Sequence, residues 1–170
     1  TLIGLMTAIT CILAPLSIPL PFSPVPISLT NLVIFISVFI LGMKDATISF
    51  LIYLLLGAVG LPVFASFHAG LSVLAGPTGG YLIGFIFLAL IQGFAMKYFD
   101  RKLIPTIIGM LIGMAVCYIF GTVWLAKLMS LSFKEGLFMG VIPYLPGDAV
   151  KIIIAVIVGP KLYAATKKVR

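Results

Sequence analysis

Charged side chains are scarce in this sequence. Only 9% of its 170 residues are Asp, Glu, Lys or Arg, while 62% are hydrophobic, whereas soluble domains carry about 25% charged residues. None of these four residue types occurs in the stretches 1–43, 46–96 and 103–126. This composition excludes a water-facing globular surface, and it indicates an integral membrane protein that is surrounded by the lipid bilayer.

Metal ligands and catalytic groups are also few. One histidine cannot form a His-based metal site, and Cys11 and Cys117 lie inside predicted membrane spans without a metal-binding spacing. No nucleophile–base set and no nucleotide-binding motif occurs, so we predict neither an enzyme nor a metal or cofactor site. The net charge of +7 does not indicate nucleic-acid binding, because no basic run lies on a soluble, aromatic-bearing surface.

Hydrophobic stretches divided by Pro and Gly predict an all-α membrane protein with six transmembrane helices. A spanning helix needs about 20 mostly apolar residues, so the longer uncharged stretches must contain more than one helix. Pro19 and Pro21 should end the first helix, and the prolines of the following connection should exclude both helix and β-ladder. No cleaved signal peptide is expected. Residues 1–170 are treated as one domain, with helices at about 2–18, 28–42, 46–60, 78–97, 104–127 and 147–165.

The basic residues predict the orientation of the helices. One predicted face holds most of them, namely Lys44, Lys97, Arg101, Lys102, Lys161, Lys167, Lys168 and Arg170. The other face holds Lys127 and Lys134. Because cytoplasmic connections carry the excess of Lys and Arg, both termini should be cytoplasmic. Uncharged irregular backbone is stable near a membrane only when it is buried in protein or lines a cavity, so the long outer connections should fold over a ligand pocket.

The clearest functional signal is a pair of opposite charges in the last predicted helix. Asp148 and Lys151 lie in the apolar stretch 144–158 and share one helix face at spacing i,i+3. A charge inside a membrane costs roughly 2.5–3.5 kcal/mol on insertion scales, which makes the pair a functional-site hypothesis. The alternative is structural, because Asp148 follows Pro146 and Gly147 and can cap the helix. The favoured interpretation is a polar clamp on a ligand that enters from outside.

A second candidate is the segment 76–81, Gly-Pro-Thr-Gly-Gly-Tyr, where the fourth helix should begin. Gly79 and Gly80 permit close approach of the backbone, and exposed N–H groups at a helix start can bind a carboxylate. The alternative is a loop-to-helix junction in which the glycines serve tight packing. The segment is not a phosphate loop, since no Gly-Lys-Ser/Thr follows.

Single polar and aromatic residues give weaker signals. Asn31 should either cap the second helix or cross-link helices, and Gln92 should form an interhelical hydrogen bond. Tyr144 and Trp124 can stack on a ligand, although anchoring at the membrane interface is the commoner role. His68 is most simply a solvated residue of the 61–77 connection.

Small residues at spacing i,i+4 allow helices to approach closely. The first helix has this pattern at Gly4 and Ala8, and the fifth has glycines at Gly109, Gly113 and Gly121. Packing within the chain is the default explanation for such patterns.

Taken together, these residues resemble the substrate-binding (S) subunit of energy-coupling-factor (ECF) vitamin transporters, specifically the biotin-binding BioY family. The order of Gly-Pro-Thr-Gly-Gly-Tyr and Leu-Pro-Gly-Asp-x-x-Lys is specific to that family. The segments that carry the resemblance are 18–22, 25–27, 53–65, 74–85, 121–125 and 144–151.

The resemblance implies six helices in a prokaryotic plasma membrane and a biotin cavity closed by outer loops. It implies a transmembrane coupling subunit and two cytosolic ATPases as partners. The family's biotin-binding Asp and Lys match Asp148 and Lys151. The family's contact with the coupling subunit maps onto Gly4 and Ala8, although the family motif usually begins with Ala. The expected biotin-binding residues are Asn31, Thr78, Gly79, Gly80, Tyr81, Tyr144, Asp148 and Lys151.

The chemistry of biotin agrees with this site. The Asp148 carboxylate suits the ureido N–H donors, and Lys151 suits either the ureido carbonyl or the valerate. Backbone N–H groups near Gly79 and Gly80 also suit the valerate. An S subunit for another vitamin, and a stand-alone or proton-coupled carrier with Asp148 and Lys151 as a relay, stay open as alternatives, as does a homo-oligomer.

Overall fold

Helices account for most of the chain in the computed structural model, which describes residues 1–167. The connections contain a hairpin of strands β1 (Ser17–Leu20) and β2 (Ser23–Ser28), and the 3-10 turns Ala65–Phe67 and Ile142–Tyr144. Lys168 and Arg170, two of the predicted cytoplasmic charges, lie outside the described residues. The helices are α1 (Leu2–Leu13), α2 (Thr30–Leu41), α3 (Met43–Ala58), α4 (Leu71–Ala75), α5 (Gly79–Tyr98), α6 (Leu103–Met129), α7 (Phe133–Gly140) and α8 (Leu145–Lys167).

Each of the six predicted helices overlaps one helix of 12 or more residues, while α4 and α7 are shorter helices within the predicted outer connections. α1 is shorter than predicted and ends at Leu13, because Pro15 has no N–H to continue the helical ladder. The break between α2 and α3 falls at Gly42, whose positive φ of 84° suits a residue without a Cβ atom. α8 begins at Leu145, slightly earlier than predicted.

The Pro-rich connection forms a β-hairpin, so the prediction that its prolines exclude a β-ladder is wrong. β1 and β2 pair antiparallel, with Ile18 opposite Ile27 and Leu20 opposite Ser23. In a two-stranded sheet each strand has a free edge, where the missing N–H of a proline loses no hydrogen bond. The pairing is irregular between Ile18 and Leu20, around Pro19.

Three helical segments in the described part of the chain are long and apolar enough to cross a membrane. They are Gly79–Tyr98, Leu103–Met129 and Phe133–Lys167, the last of which joins α7 to α8. Their surfaces carry large exposed apolar side chains, among them Ile104 at 72% and Ile153 at 58%. Extended apolar surface of this kind is unfavourable in water and suits lipid. The protein is therefore a mostly helical membrane protein.

Glycines bring α5 and α6 into close contact. A Cβ atom on Gly84 would lie 2.8 Å from Cys117 Cα, and one on Gly113 would lie 3.0 Å from Leu88 Cα. The first separation is shorter than real Cβ atoms show, and the second is tighter than nearly all real Cβ contacts, so glycine at these positions permits the close approach of the two helices. The prediction that the glycines of α6 pack within the chain is confirmed for Gly109, Gly113 and Gly121.

Basic residues cluster where α5 ends and α6 begins. Arg101 donates from Nη1 to Phe39 O at 2.7 Å, and its guanidinium carbon lies 3.8 Å from the ring centroid of Tyr163. These contacts join the end of α2 to α8 through the α5–α6 connection. Lys44 and Lys97 lie around the same shallow depression as Arg101.

Candidate functional site

A cavity of about 470 Å³ lies at the other end of α5. The hairpin, the 61–77 connection and the helices α2, α3, α5, α6 and α8 form its wall. Gly140 and Tyr144 of the predicted connection 128–146 also line it. All three predicted outer connections therefore contribute, the other two being the Pro-rich connection and residues 61–77. The lining is mainly apolar with a small set of polar groups, as is usual for a site that binds a small molecule.

A buried ion pair lies in the wall of this cavity. Asp148 and Lys151 are 7% and 8% exposed, and Lys151 Nζ lies 2.8 Å from Asp148 Oδ1. Asn31 of α2 donates Nδ2–H to the same oxygen at 2.8 Å. The Tyr118 hydroxyl of α6 donates to Asp148 Oδ2 at 2.5 Å. Side chains from three helices therefore meet at one carboxylate, and we call Asn31, Tyr118, Asp148 and Lys151 the polar network.

The Lys151 ammonium is fully hydrogen-bonded. Besides Asp148, it donates to Asn31 Oδ1 at 3.0 Å and to Ser28 O, at the end of β2, at 2.7 Å. An ammonium group has three N–H donors, so all of them are used. A buried ion pair is tolerated when its remaining donors and acceptors are satisfied in this way.

Asp148 does not cap α8. The helix begins at Leu145, so Asp148 lies inside its first turn. In the part of the chain that the structure describes, its carboxylate is hydrogen-bonded by the side chains of Asn31, Tyr118 and Lys151 and by no backbone N–H. The carboxylate nevertheless lies near the positive end of the helix dipole, which stabilises its negative charge.

Two tyrosines in the cavity wall hold the surrounding connections in place. The Tyr81 hydroxyl of α5 donates to Gly140 O at 2.9 Å. The Tyr144 hydroxyl donates to Val25 O and lies 2.8 Å from Ser23 Oγ. These bonds link α5 to the end of α7, and the second 3-10 turn to β2, and they fix two aromatic rings that line the cavity.

The segment at the start of α5 lies only partly in the cavity wall. Thr78 lines the cavity, whereas Gly79 and Gly80 do not. The Gly79 N–H donates to Gly76 O at 3.0 Å, so it is not offered to a carboxylate. A Cβ atom on Gly80 would lie 2.8 Å from Phe120 O. This placement fits the packing alternative for the two glycines.

The weaker candidates divide between packing and cavity. Trp124 donates Nε1–H to Gly76 O at 2.9 Å and does not line the cavity. His68 is exposed and lines the cavity, with Nδ1 at 2.9 Å from Ala65 O. Of the two alternatives for Asn31, the structure favours the cross-link, because its side chain joins α2 to α8.

Two tyrosines of the wall were not predicted from the sequence. Tyr118 completes the polar network. Tyr53 of α3 is fully buried, and its hydroxyl has no hydrogen-bond partner among the described residues, although the side chain lines the cavity. A hydroxyl in an apolar membrane helix needs a partner, and that requirement is the signal by which the sequence could have indicated both residues.

The small residues of α1 face away from the bundle. Gly4 and Ala8 are both exposed, and a Cβ atom on Gly4 would meet no atom within 4 Å. Packing within the chain therefore does not account for this pattern, in contrast to the glycines of α6. The exposed face also includes Leu5 and Ile12.

Known proteins resemble the chain over almost its whole length. Residues 1–168 match the model of the BioY family. The probable biotin transporter BioY of Pyrococcus horikoshii is 34% identical over 98% of this chain and 96% of its own length. The biotin transporter BioY of Thermotoga maritima is 35% identical over 94% of this chain and 92% of its own length. BioY2 of Lactococcus lactis is 33% identical over 97% and 90% of the two chains.

A solved structure has the same fold. It is the S-component for biotin from an ECF-type ABC transporter, which superposes with a TM-score of 0.87 at 32% identity. The match covers 94% of this chain and 87% of that one. Both the sequence and the arrangement of helices therefore lead to the same group of membrane proteins.

Proposed function

The chain belongs to the BioY family, and from this premise we propose that it is the biotin-binding membrane subunit, the S component, of an ECF-type ABC importer. It takes biotin from the outer face of the membrane and delivers it inward. It is not an enzyme, and partner subunits hydrolyse the ATP. Residues 1–170 act as a single S-component domain.

The polar network inside the cavity is the observation that carries this proposal. The ureido ring of biotin has two N–H donors and one carbonyl acceptor. The Asp148 carboxylate accepts a ureido N–H. The Asn31 amide, or the Lys151 ammonium in exchange for one of its present hydrogen bonds, donates to the ureido carbonyl. Hydrogen bonds that involve a charged group are about twice as strong as neutral ones, so this network is the part of the wall best suited to recognise the ureido ring.

Apolar and aromatic side chains of the same wall accept the remaining part of biotin. Phe85, Met114 and the ring of Tyr81 line the same cavity as the polar network and suit the thiophane ring. The ring of Tyr144 and the side chain of Thr78 complete this contact surface. Gly79 and Gly80 act indirectly, because Gly79 lets α5 lie against Leu74 of α4 and Gly80 lets it lie against α6.

We place six helices across the membrane, namely α1, α2, α3, α5, α6 and α8, with both termini in the cytoplasm. The support is the separation of charge from the cavity along α5. Lys44, Lys97 and Arg101 cluster at one end of the bundle. The connections that surround the cavity at the other end carry few charged residues, namely Lys134 and Glu135. Under the positive-inside rule the basic end is cytoplasmic, so the cavity opens outward. The membrane is the plasma membrane of a prokaryote.

The outward face of α1 is the proposed contact with the transmembrane coupling subunit. Gly4 and Ala8 are exposed and let another helix approach closely. The coupling subunit connects this chain to two cytosolic ATPase subunits.

Calorimetric titration of the detergent-solubilised chain tests the proposal. We expect tight binding of about one biotin per chain and no heat with riboflavin or thiamin. Binding of another vitamin would keep the S-component function and change its substrate. A monodisperse sample that binds none of the three would replace the proposal by a carrier that uses Asp148 and Lys151 as a proton relay.

A further inference from the structure

The cavity lining contains two basic side chains among the described residues, and they differ in their surroundings. Lys151 is buried and gives its three donors to Asp148, Asn31 and Ser28. His68 lies at the exposed edge of the cavity, in the 61–77 connection. Asp148 is the sole acidic residue in this lining, and its charge is neutralised by Lys151. His68, at the exposed edge, is therefore the basic side chain of the lining that has no acidic partner there.

The backbone holds His68 in one place. Phe64 N–H donates to His68 O at 3.1 Å, and His68 N–H donates to Ala65 O at 3.4 Å. The Nδ1 atom of the ring lies 2.9 Å from the same Ala65 oxygen. Because a carbonyl oxygen only accepts, Nδ1 carries the hydrogen, and Nε2 is the ring nitrogen left for a ligand.

The turn before His68 has an unusual backbone conformation. Ser66 and Phe67 have φ values of 58° and 59°, a region that residues with a Cβ atom seldom occupy. Three contacts hold the turn, since Ser66 N–H donates to Ser17 Oγ at 2.8 Å and to Pro15 O at 3.1 Å, and Ser66 Oγ lies 2.9 Å from Ser17 Oγ. Such conformations persist where the surrounding structure enforces them, and they concentrate at binding sites.

Resting on the proposed function, we propose that His68 binds the carboxylate of the biotin valerate at the edge of the cavity, while the polar network binds the ureido ring. Of the other groups considered for this carboxylate, Lys151 belongs to the polar network that binds the ureido ring, the Gly79 N–H is bonded to Gly76 O, and Gly80 does not line the cavity. With Nδ1–H directed at Ala65 O, the imidazolium form of the ring carries a second hydrogen on Nε2, and that N–H is the group that donates to the carboxylate in a charge-assisted hydrogen bond. His68 is thus a specificity-determining residue, which selects the free acid over neutral derivatives.

Biotin and biotin amide differ only at this end of the ligand, so comparing them isolates the contact. We expect the wild-type chain to bind biotin at least roughly tenfold more tightly than biotin amide, the change that one charge-assisted hydrogen bond produces. In His68→Gln and His68→Ala, biotin affinity should fall about tenfold, while amide affinity stays the same. Ser72→Ala, at another exposed polar residue of the lining, should keep the wild-type preference.

The outcomes separate this inference from the proposed function. A wild-type chain that binds both ligands equally tightly leaves the biotin-binding function standing and overturns the role of His68, without any variant. A preference for biotin over biotin amide that is kept in both His68 variants also overturns the role of His68. If Lys151→Gln loses the preference for biotin over biotin amide and the His68 variants keep it, Lys151 binds the valerate carboxylate instead of His68. A wild-type chain that binds neither ligand overturns the proposed function and this inference with it.

Discussion

Tyr118 and Asp148 are joined across two helices by a hydrogen bond from the tyrosine hydroxyl to Asp148 Oδ2. The other carboxylate oxygen accepts from Asn31 and Lys151. Both oxygens are thus fixed by side chains, and the carboxylate has a single orientation toward the cavity. We infer that Tyr118 acts on the site through Asp148, as a positioning residue.

Tyr118→Phe should weaken biotin binding about tenfold, because it removes one hydrogen bond to a charged group, a change of about 1.5 kcal/mol. Calorimetry on the purified chain measures the effect. Tyr98→Phe is the matched control, since Tyr98 is 73% exposed at the far end of α5, and its affinity should equal that of the wild type. Wild-type affinity in Tyr118→Phe would remove Tyr118 from the site.

Asp148→Asn and Lys151→Ala should each weaken biotin binding by about 1.5–3 kcal/mol, the range for a lost hydrogen bond that involves a charged group. Titration calorimetry with biotin gives the two affinities. Asp45→Asn, at the basic end of the bundle, is the control and should bind like the wild type. Normal binding in both site variants would show that the pair is structural.

The stability of the same pair gives an independent test. Asp148→Asn leaves the Lys151 ammonium buried without its counter-charge, and such changes cost about 3–5 kcal/mol. The double variant Asp148→Asn with Lys151→Met removes both charges and should regain much of the thermal stability without regaining biotin binding. Thermal unfolding in detergent and calorimetry measure the two properties. If the double variant binds biotin, the charges serve folding and not the ligand.

Gly4→Leu and Ala8→Leu should leave biotin affinity unchanged and reduce co-purification with the coupling subunit, because a large side chain keeps another helix from approaching α1 closely. Ala115→Leu places the same bulk on the exposed surface of α6 and should assemble normally. Unchanged assembly of both α1 variants would locate the coupling surface elsewhere.

Gly84→Ala should lower the thermal unfolding midpoint, since the new Cβ atom would lie 2.8 Å from Cys117 Cα and overpacking typically costs about 1–3 kcal/mol. Gly4→Ala introduces the same methyl group where no atom lies within 4 Å, and it should not lower the midpoint. Equal thermal unfolding midpoints for the two variants would mean that α5 and α6 can move apart without loss of stability.

The sequence was most informative where local chemistry decides the outcome. Asp148 and Lys151 could be selected as candidate site residues because a charge inside an apolar stretch is costly and therefore indicates a function. Gln92 could be assigned an interhelical hydrogen bond because a buried amide needs a hydrogen-bond partner. The structure confirms the interhelical hydrogen bond of Gln92, which donates to Phe35 O of α2 at 3.1 Å. The helices could be placed for the same reason, since hydrophobic length and the positions of proline and glycine are local properties.

The parts that could not be predicted depend on contacts distant in the sequence. Asn31 and Asp148 are 117 residues apart, and Tyr118 and Asp148 are 30 apart, so nothing in either local segment indicates the partner. The hairpin was missed because proline excludes a strand only from the middle of a sheet, and the number of strands is a tertiary property. Whether Gly79 and Gly80 face a ligand or a neighbouring helix also depends on the packing of α5 against α6.

Lys151 holds the Ser28 carbonyl at the end of β2 as well as the Asp148 carboxylate, so one side chain anchors the hairpin and forms part of the polar network. This part of the wall is ordered when the chain folds. If biotin binds at this network as proposed, little of its binding free energy is spent on ordering the wall. Its affinity then depends mainly on how well it replaces hydrogen bonds that already exist. A ligand of similar shape that cannot replace them leaves buried groups unsatisfied and is rejected on that account.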